Sequence, residues 1–430
     1  MDTQWRLKSS QFYFISFTAV LVLLPWSITL TNYAIAIFTI TGFLSTTFSE
    51  KINRLRQNKE VAIFLILYAL YVIGLLYSSN IALGLKSIEQ KLVLLIIPLI
   101  AASSFAFTDQ QREWALRSFV YSNVLFILTC IVLNVIDISG GPPYTHVNFD
   151  PYTLSRFKEL HPGFAPVWMQ FSYIAFTSPI LSSPVFISLY LSLSVFILFD
   201  LHTIKFKYVL IGWLSLTIVL LSSRVGILTL ISISLLILFY DLFKRKFPLR
   251  HNLLKITYII SLLLLVIFFP VTRFRVIEEP LSTSTDLPTD ASHWNSVNLR
   301  FLEWKSGIEG IRNTGITGTG TGDGLEVLDS YYNQVDLGIF DHPYLSHNQY
   351  IETALEIGLA GFIALLFCLF VPFMRALKTK NVLLMSVVLM TCLACLSTSF
   401  FERARGLTFY VSFVSLFMFT KSNEENGSKA

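Results

Sequence analysis

The sequence predicts an all-α polytopic membrane protein of about twelve transmembrane helices with a partly helical outer loop, and three observations carry that expectation. First, 54% of the 430 residues are hydrophobic and only 14% are charged, where a soluble domain carries about 25% charged residues. With a mean hydropathy of +0.63, the bilayer must solvate most of the chain. Second, apolar stretches close to the length that crosses the hydrocarbon layer recur near 11–30, 33–48, 61–78, 88–107, 114–137, 180–200, 206–222, 225–243, 253–270, 350–375, 382–399 and 405–420. The second and seventh are the shortest. Third, Lys and Arg concentrate in alternate loops.

That alternation sets an orientation. With the N-terminus in the cytoplasm, the inner loops hold 20 of the 32 basic residues, although the outer side holds most of the loop length. Both termini are then cytoplasmic. Arg6 and Lys8 precede the apolar stretch Phe12 to Leu30. That stretch exceeds a signal-peptide core and no small-x-small cleavage site follows it, so it is expected to be an uncleaved first helix.

Two outer segments are long, about 138–179 and 271–349, and loops of this length on a compact protein are usually functional. The expected organisation is therefore nine helices over 1–270, a large periplasmic loop over 271–349, and three helices with a tail over 350–430. The piece 164–179 is apolar but short, which suits an interfacial or re-entrant segment. Within the second loop Val297, Phe301, Trp304, Ile308 and Ile311 are spaced as one stripe of an amphipathic helix, expected to lie on the membrane domain. Gly315 should end it.

Several chemistries are weakly supported. Cys130, Cys368, Cys392 and Cys395 all lie inside apolar runs, and behave as small buried residues rather than a disulfide framework or a redox pair. His342 and His347 have Asp341 nearby but no acidic or cysteine cluster at ligand spacing, so no metal is expected. No cofactor is implied, and no soluble basic domain exists to bind nucleic acid. The glycine-rich run Gly315 to Gly324 lacks the Gly-Lys-Ser/Thr ending of a phosphate loop. Its glycines fit a close approach to another backbone better.

The residues suited to chemistry cluster on the outer face. Ser346-His347-Asn348-Gln349 precedes an apolar helix. Ser with Gln three residues on reads as a capping box, with His347 in the first helical turn. The positive helix end would favour neutral imidazole there, which can act as a general base, and the free N–H groups suit an anion. The alternative is a histidine that only packs. Arg224 follows Ser222-Ser223 at the start of a helix, against the dipole, so an anion or lipid phosphates should compensate it. Lys86, Lys91, Arg273, Arg275, Arg403 and Arg405 are further outer cations near the membrane. Arg300 sits beside the amphipathic stripe and should face down rather than into bulk water. Several such cations would suit a diphosphate.

Three stretches carry a resemblance to the O-antigen ligase/polymerase superfamily of bacterial envelope enzymes. They are Leu220-Leu221-Ser222-Ser223-Arg224; Asn298-Leu299-Arg300 through Trp304 into Gly318-Thr319-Gly320-Thr321-Gly322-Asp323; and His347-Asn348-Gln349-Tyr350 followed by Glu356-x-Gly358-Leu359-x-Gly361. Lys91 in Glu89-Gln90-Lys91-Leu92, and Glu402-Arg403 before the last helix, also fit. Where many relatives carry His-Pro, this chain has Ser183-Pro184, so no role of that histidine is carried over.

The resemblance implies a fold like that of the type C glycosyltransferases and a metal-independent transfer at the periplasmic face of the bacterial inner membrane. The donor would be a glycan on undecaprenyl diphosphate. An O-antigen ligase passes it to lipid A core sugar, the favoured reading for lipopolysaccharide biosynthesis. A polymerase passes it to another lipid-linked repeat unit, and a third branch to protein. In this reading His347 is the base, and Arg224, Arg300, Lys91 and Arg405 hold the diphosphate. A lipid-linked glycan flippase is the competing class. It usually shows internal halves and midplane polar residues, which the sequence lacks.

Overall fold

The computed structural model describes residues 3–140, 151–164, 166–201, 203–244, 249–283, 294–333 and 344–419. Asp341, His342 and the run Gly141-Pro142-Pro143 lie outside them. Among the described residues all regular structure is helical. Each of the twelve apolar segments holds a helix, but the ends follow local signals rather than hydropathy. The first helix, Thr3–Leu23, stops short of Pro25, and Ser27 caps the next, Ile28–Ser45, by accepting from the Leu30 N–H.

Fewer segments than twelve are built to cross a bilayer on their own. Among the described residues Ile28–Ser45, Asp109–Ser139, Arg224–Leu242 and Gln349–Thr379 are long and apolar enough, and three bent pairs raise the number to at most 7. Lys207–Leu220, Val382–Cys395 and Ala404–Met418 are apolar but shorter. The bends have identifiable causes. Proline opens the second member in two pairs: Asn252–Phe268 turns by 89° into Pro270–Ser282, and Tyr173–Ile180 by 90° into Pro184–Asp200. The latter contains the end of the piece expected to be interfacial or re-entrant.

The chain forms two compact units, one of residues 1–119 with 300–430 and one of 120–299. In the first, the Gln349–Thr379 helix breaks at Ile357 and Gly358, whose φ is +64°. The glycine-rich run fills that break. Thr319 N–H donates to the Leu355 carbonyl at 2.8 Å and Gly320 N–H to that of Glu356 at 2.9 Å. Farther on, Gly322 N–H donates to Ser78 Oγ, and the Asp323 carboxylate accepts from the N–H groups of Ser79 and Asn80. A Cβ on Gly358 would lie 2.0 Å from the Ile316 carbonyl oxygen, and one on Gly322 2.1 Å from that of Asn80. The run is a backbone clasp, as the sequence suggested, not an anion cradle.

The amphipathic helix forms as Ser296–Thr314, and Gly315 ends it at φ +73°. Its most buried face is not the apolar stripe, of which Val297, Trp304 and Ile311 are half-buried. Phe301 and Ile308 of the apolar stripe are exposed, while Leu302, Glu303, Ser306, Gly307 and Gly310 are buried. The small residues decide this. Gly307 and Gly310 let the helix close on Ile351 and Leu355 of the Gln349–Thr379 helix, where a Cβ would meet their side chains at 2.4 and 2.8 Å. This packing turns Glu303 inward.

In the second unit the Arg224–Lys244 helix approaches Pro184–Asp200 closely enough that a Cβ on Gly226 would meet Ser188 Oγ at 2.2 Å. The short turns Pro270–Arg273 and Phe274–Glu278 seat Val271 and Phe274 on Phe157. They bring Arg275 and Glu279 to the start of the Arg224 helix.

Candidate active site

His347 lies just before its helix, not in the first turn. The N-cap of Gln349–Thr379 is Asn348, whose side-chain oxygen accepts from the Tyr350 and Ile351 N–H groups. Ser346, expected as the cap, is instead tied to Glu352. Its N–H and its Oγ both donate to Glu352 Oε2, at 2.9 and 2.6 Å, and Ser399 Oγ adds a third bond at 3.1 Å. Asn forms the cap because Ser346 is already committed. Held between these two anchors, His347 takes φ +49°, a left-handed backbone that a non-glycine residue adopts only when its surroundings impose it.

The imidazole has two neighbours at Nδ1. The Leu345 carbonyl lies 3.0 Å away and Glu303 Oε1 also 3.0 Å away. A carbonyl can only accept, so Nδ1 carries the proton in this geometry and Nε2 is the basic atom. Glu303 is nearly fully buried, and its other oxygen, Oε2, accepts from Arg300 Nη1 at 2.6 Å. Arg300, Glu303 and His347 thus form one line. Burial first, and the Glu303 carboxylate second, push the nearby Tyr332 hydroxyl above its usual range, so it stays protonated.

His347 lines a cavity of about 470 Å³, within the range of ~300–1,000 Å³ usual for small-molecule sites. The wall includes Lys86, Ser87 and Gln90 from the Ile81–Lys91 helix, Gly322 from the clasp, and Glu356, Glu402 and Arg403. Lys86 and Arg403 are exposed, whereas Glu356 and Glu402 are buried. Behind these carboxylates lies Lys91, with no exposed surface. Its ammonium donates to Glu402 Oε2 and to Ser87 Oγ, stands 3.8 Å from Glu356 Oε2, and lies over the Tyr71 ring. Gln349 bridges from the histidine segment, donating to Glu402 Oε1 at 3.3 Å and accepting the Phe401 N–H at 2.6 Å.

The five residues singled out in the sequence therefore divide. His347 and Arg300 meet through Glu303. Lys91 is sealed beneath the cavity as the counter-ion of its carboxylates. Arg405 opens the last helix, Ala404–Met418, while its neighbour Arg403 is the one on the cavity wall. Arg224 belongs to the other unit and has the compensating anion it required. Its Nη2 donates to Glu279 Oε2 at 2.7 Å, Nη1 to Ser296 Oγ at 3.1 Å and Nε to the Arg275 carbonyl at 2.7 Å. Among the described residues no cluster of His, Cys, Asp and Glu is placed to hold a metal ion. Glu303 was missed in the sequence. Its signal was the Arg-x-x-Glu spacing in the loop helix, which puts both side chains on one face.

The described residues thus give an all-helical chain with four to seven candidate membrane spans, and a cavity whose lining includes His347, Lys86 and Arg403. Residues 209–366 match the family model described as O-antigen ligase. The match includes all three motif stretches and stops short of Lys91 and Glu402. No curated relative matches the chain.

Proposed function

We propose that the protein is an O-antigen ligase-type glycosyltransferase of the bacterial inner membrane, moving a glycan from undecaprenyl diphosphate to a hydroxyl of lipid A core sugar at the periplasmic face. The observation that carries this reading is the Arg300–Glu303–His347 line, which reaches the cavity wall at His347. A sugar hydroxyl is a poor nucleophile until a base takes its proton. His347 Nε2 takes that proton as the oxygen bonds to the anomeric carbon. The bond to the diphosphate breaks with its electron pair on the leaving oxygen, and a single displacement inverts the anomeric centre. Glu303 keeps the proton on Nδ1 and stabilises the imidazolium that forms. Lys86 and Arg403, at the cavity edge, are suited to the diphosphate charge. Arg300 acts through Glu303, and Lys91 keeps the floor carboxylates in place.

The test is complementation of a host lacking this chain with His347→Ala, with membrane levels matched and envelope polysaccharide run on a gel. Loss of mature polysaccharide with full-length lipid-linked chains accumulating supports the ligase. Accumulation of single repeat units would replace it with a polymerase. Unchanged polysaccharide would remove His347 from the reaction.

A further inference from the structure

The helix that begins beside His347 carries a second cavity at its far end. It holds about 600 Å³ and is lined by Glu60, Val371, Met374, Arg375, Leu377 and Lys378. Glu60 comes from the stretch Lys59–Leu75, which packs along Gln349–Thr379 in the same compact unit, with Cys368 Sγ on the Ile63 carbonyl. The depth of this cavity in the membrane follows from the neighbouring helix. Phe48–Gln57 turns by 83° away from Lys59–Leu75 at Asn58. A helix at that angle to a span lies along the membrane surface. Its exposed Phe48 and Ile52, with Arg54 and Arg56, suit that position. Glu60 therefore sits at the level of the lipid headgroups.

The cavity is cationic at that level and apolar below it. Ile363, Phe367, Phe370, Met374 and Leu377 are all exposed and recur at helical spacing, so they form one stripe that ends in the cavity. From Phe367 to Leu377 the stripe spans about 15 Å at a rise of ~1.5 Å per residue, which matches one leaflet of a hydrocarbon layer ~30 Å thick. Arg375 is half-buried, and its Nη1 makes only a long contact, 3.5 Å, to Glu60 Oε1. Lys378 is exposed and has no ion-pair partner among the described residues. Two cations against one carboxylate leave a positive charge in excess.

We infer that this cavity is a binding site for an anionic phospholipid, whose phosphate meets Arg375 and Lys378 and whose acyl chain lies along the stripe from Leu377 to Phe367. A phosphodiester neutralises the excess charge and accepts hydrogen bonds from both cations. A zwitterionic headgroup brings its own cation and gains less. A soluble phosphate meets the same cations but leaves Val371, Met374 and Leu377 uncovered. The site is independent of the transfer chemistry and anchors the end of the helix remote from His347.

The test is native mass spectrometry of the full-length protein, stripped of lipid in detergent and offered phosphatidylglycerol or phosphatidylcholine of matched chains. The wild type should retain the first phosphatidylglycerol at least about five-fold better than phosphatidylcholine, the factor that one basic residue near a membrane surface is worth. Lys378→Gln, at an exposed helix position, should lose roughly that factor. Glu60→Gln removes the competing carboxylate and should raise the preference, a response opposite in sign that a merely structural role would not give. Equal retention of the two lipids by the wild type overturns the inference, as does an unchanged ratio in either folded variant. Glycerol 3-phosphate retained as well as phosphatidylglycerol would make this a site for a soluble anion and overturn it too.

Discussion

Glu303 holds one carboxylate oxygen 3.0 Å from Nδ1 of His347 and the other 2.6 Å from Arg300. The pairing joins residues 44 positions apart in sequence. It exists because Gly307 and Gly310 let the loop helix pack with the face that carries Glu303 inward.

Glu303→Gln is the first consequence. An amide can still meet Nδ1, but it cannot stabilise the imidazolium that forms as the hydroxyl loses its proton. Transfer should fall by about 10²-fold or more, the lower range of general-base contributions, in kcat rather than in KM for the lipid-linked donor. Steady-state kinetics on reconstituted protein would show it. A change confined to KM would instead place Glu303 in substrate binding.

Lys91→Met should destabilise the fold, because it leaves the buried Glu402 and Glu356 without their cation. Loss of one partner of a buried pair costs about 3–5 kcal/mol. Adding Glu402→Gln should recover part of that loss, with a coupling of roughly 1 kcal/mol or more in a double-mutant cycle. Thermal unfolding of the purified variants measures this. If Lys91→Met unfolds normally but fails to bind the donor, Lys91 is a diphosphate ligand after all.

Gly358→Ala tests the clasp. At φ +64°, with the Ile316 carbonyl oxygen 2.0 Å from the new Cβ, the clasp and the helix break cannot both persist. The expected loss is more than about 1 kcal/mol, together with faster proteolysis within the loop. Gly315→Ala also has a positive φ but meets nothing within 4 Å, so it carries the backbone strain alone and should cost less. Equal effects would contradict the close-approach account.

Asn348→Ala removes the cap of the helix that follows His347, at a cost of about 1 kcal/mol. Ser346→Ala removes the Oγ bond to Glu352 on the other side. Both free the strained histidine backbone, so both should lower kcat beyond their effect on stability. Transfer rates compared with unfolding temperatures would separate the two effects.

Much of this was readable in the sequence, for physical reasons. Hydropathy marked where the helices are, because a spanning segment must be apolar. It could not mark how many cross on their own, since Pro270 and Pro184 turn chains that composition alone runs straight. His347 and Arg300 were legible from their settings, the one in a polar run that opens an apolar helix and the other beside the stripe of the loop helix. Glu303 was not, because only the inward face of its helix makes it a partner, and the stripe of large apolar residues pointed to the opposite face. Two glycines outweighed that stripe. Lys91 was visible as a cation but not as a buried one, since its carboxylates come from 265 and 311 positions away in the chain. Nothing in the Ser-x-x-Gln spacing revealed that Ser346 would be claimed by Glu352.

The central claim is that His347, aligned by Glu303, takes the proton of the acceptor hydroxyl. Single-turnover transfer from an undecaprenyl-diphosphate-linked glycan to lipid A core, by wild type and His347→Ala in nanodiscs with donor binding measured in parallel, tests it most directly. The account predicts that His347→Ala still binds the donor and transfers at least about 10²-fold more slowly. Transfer at the wild-type rate by that variant would contradict it.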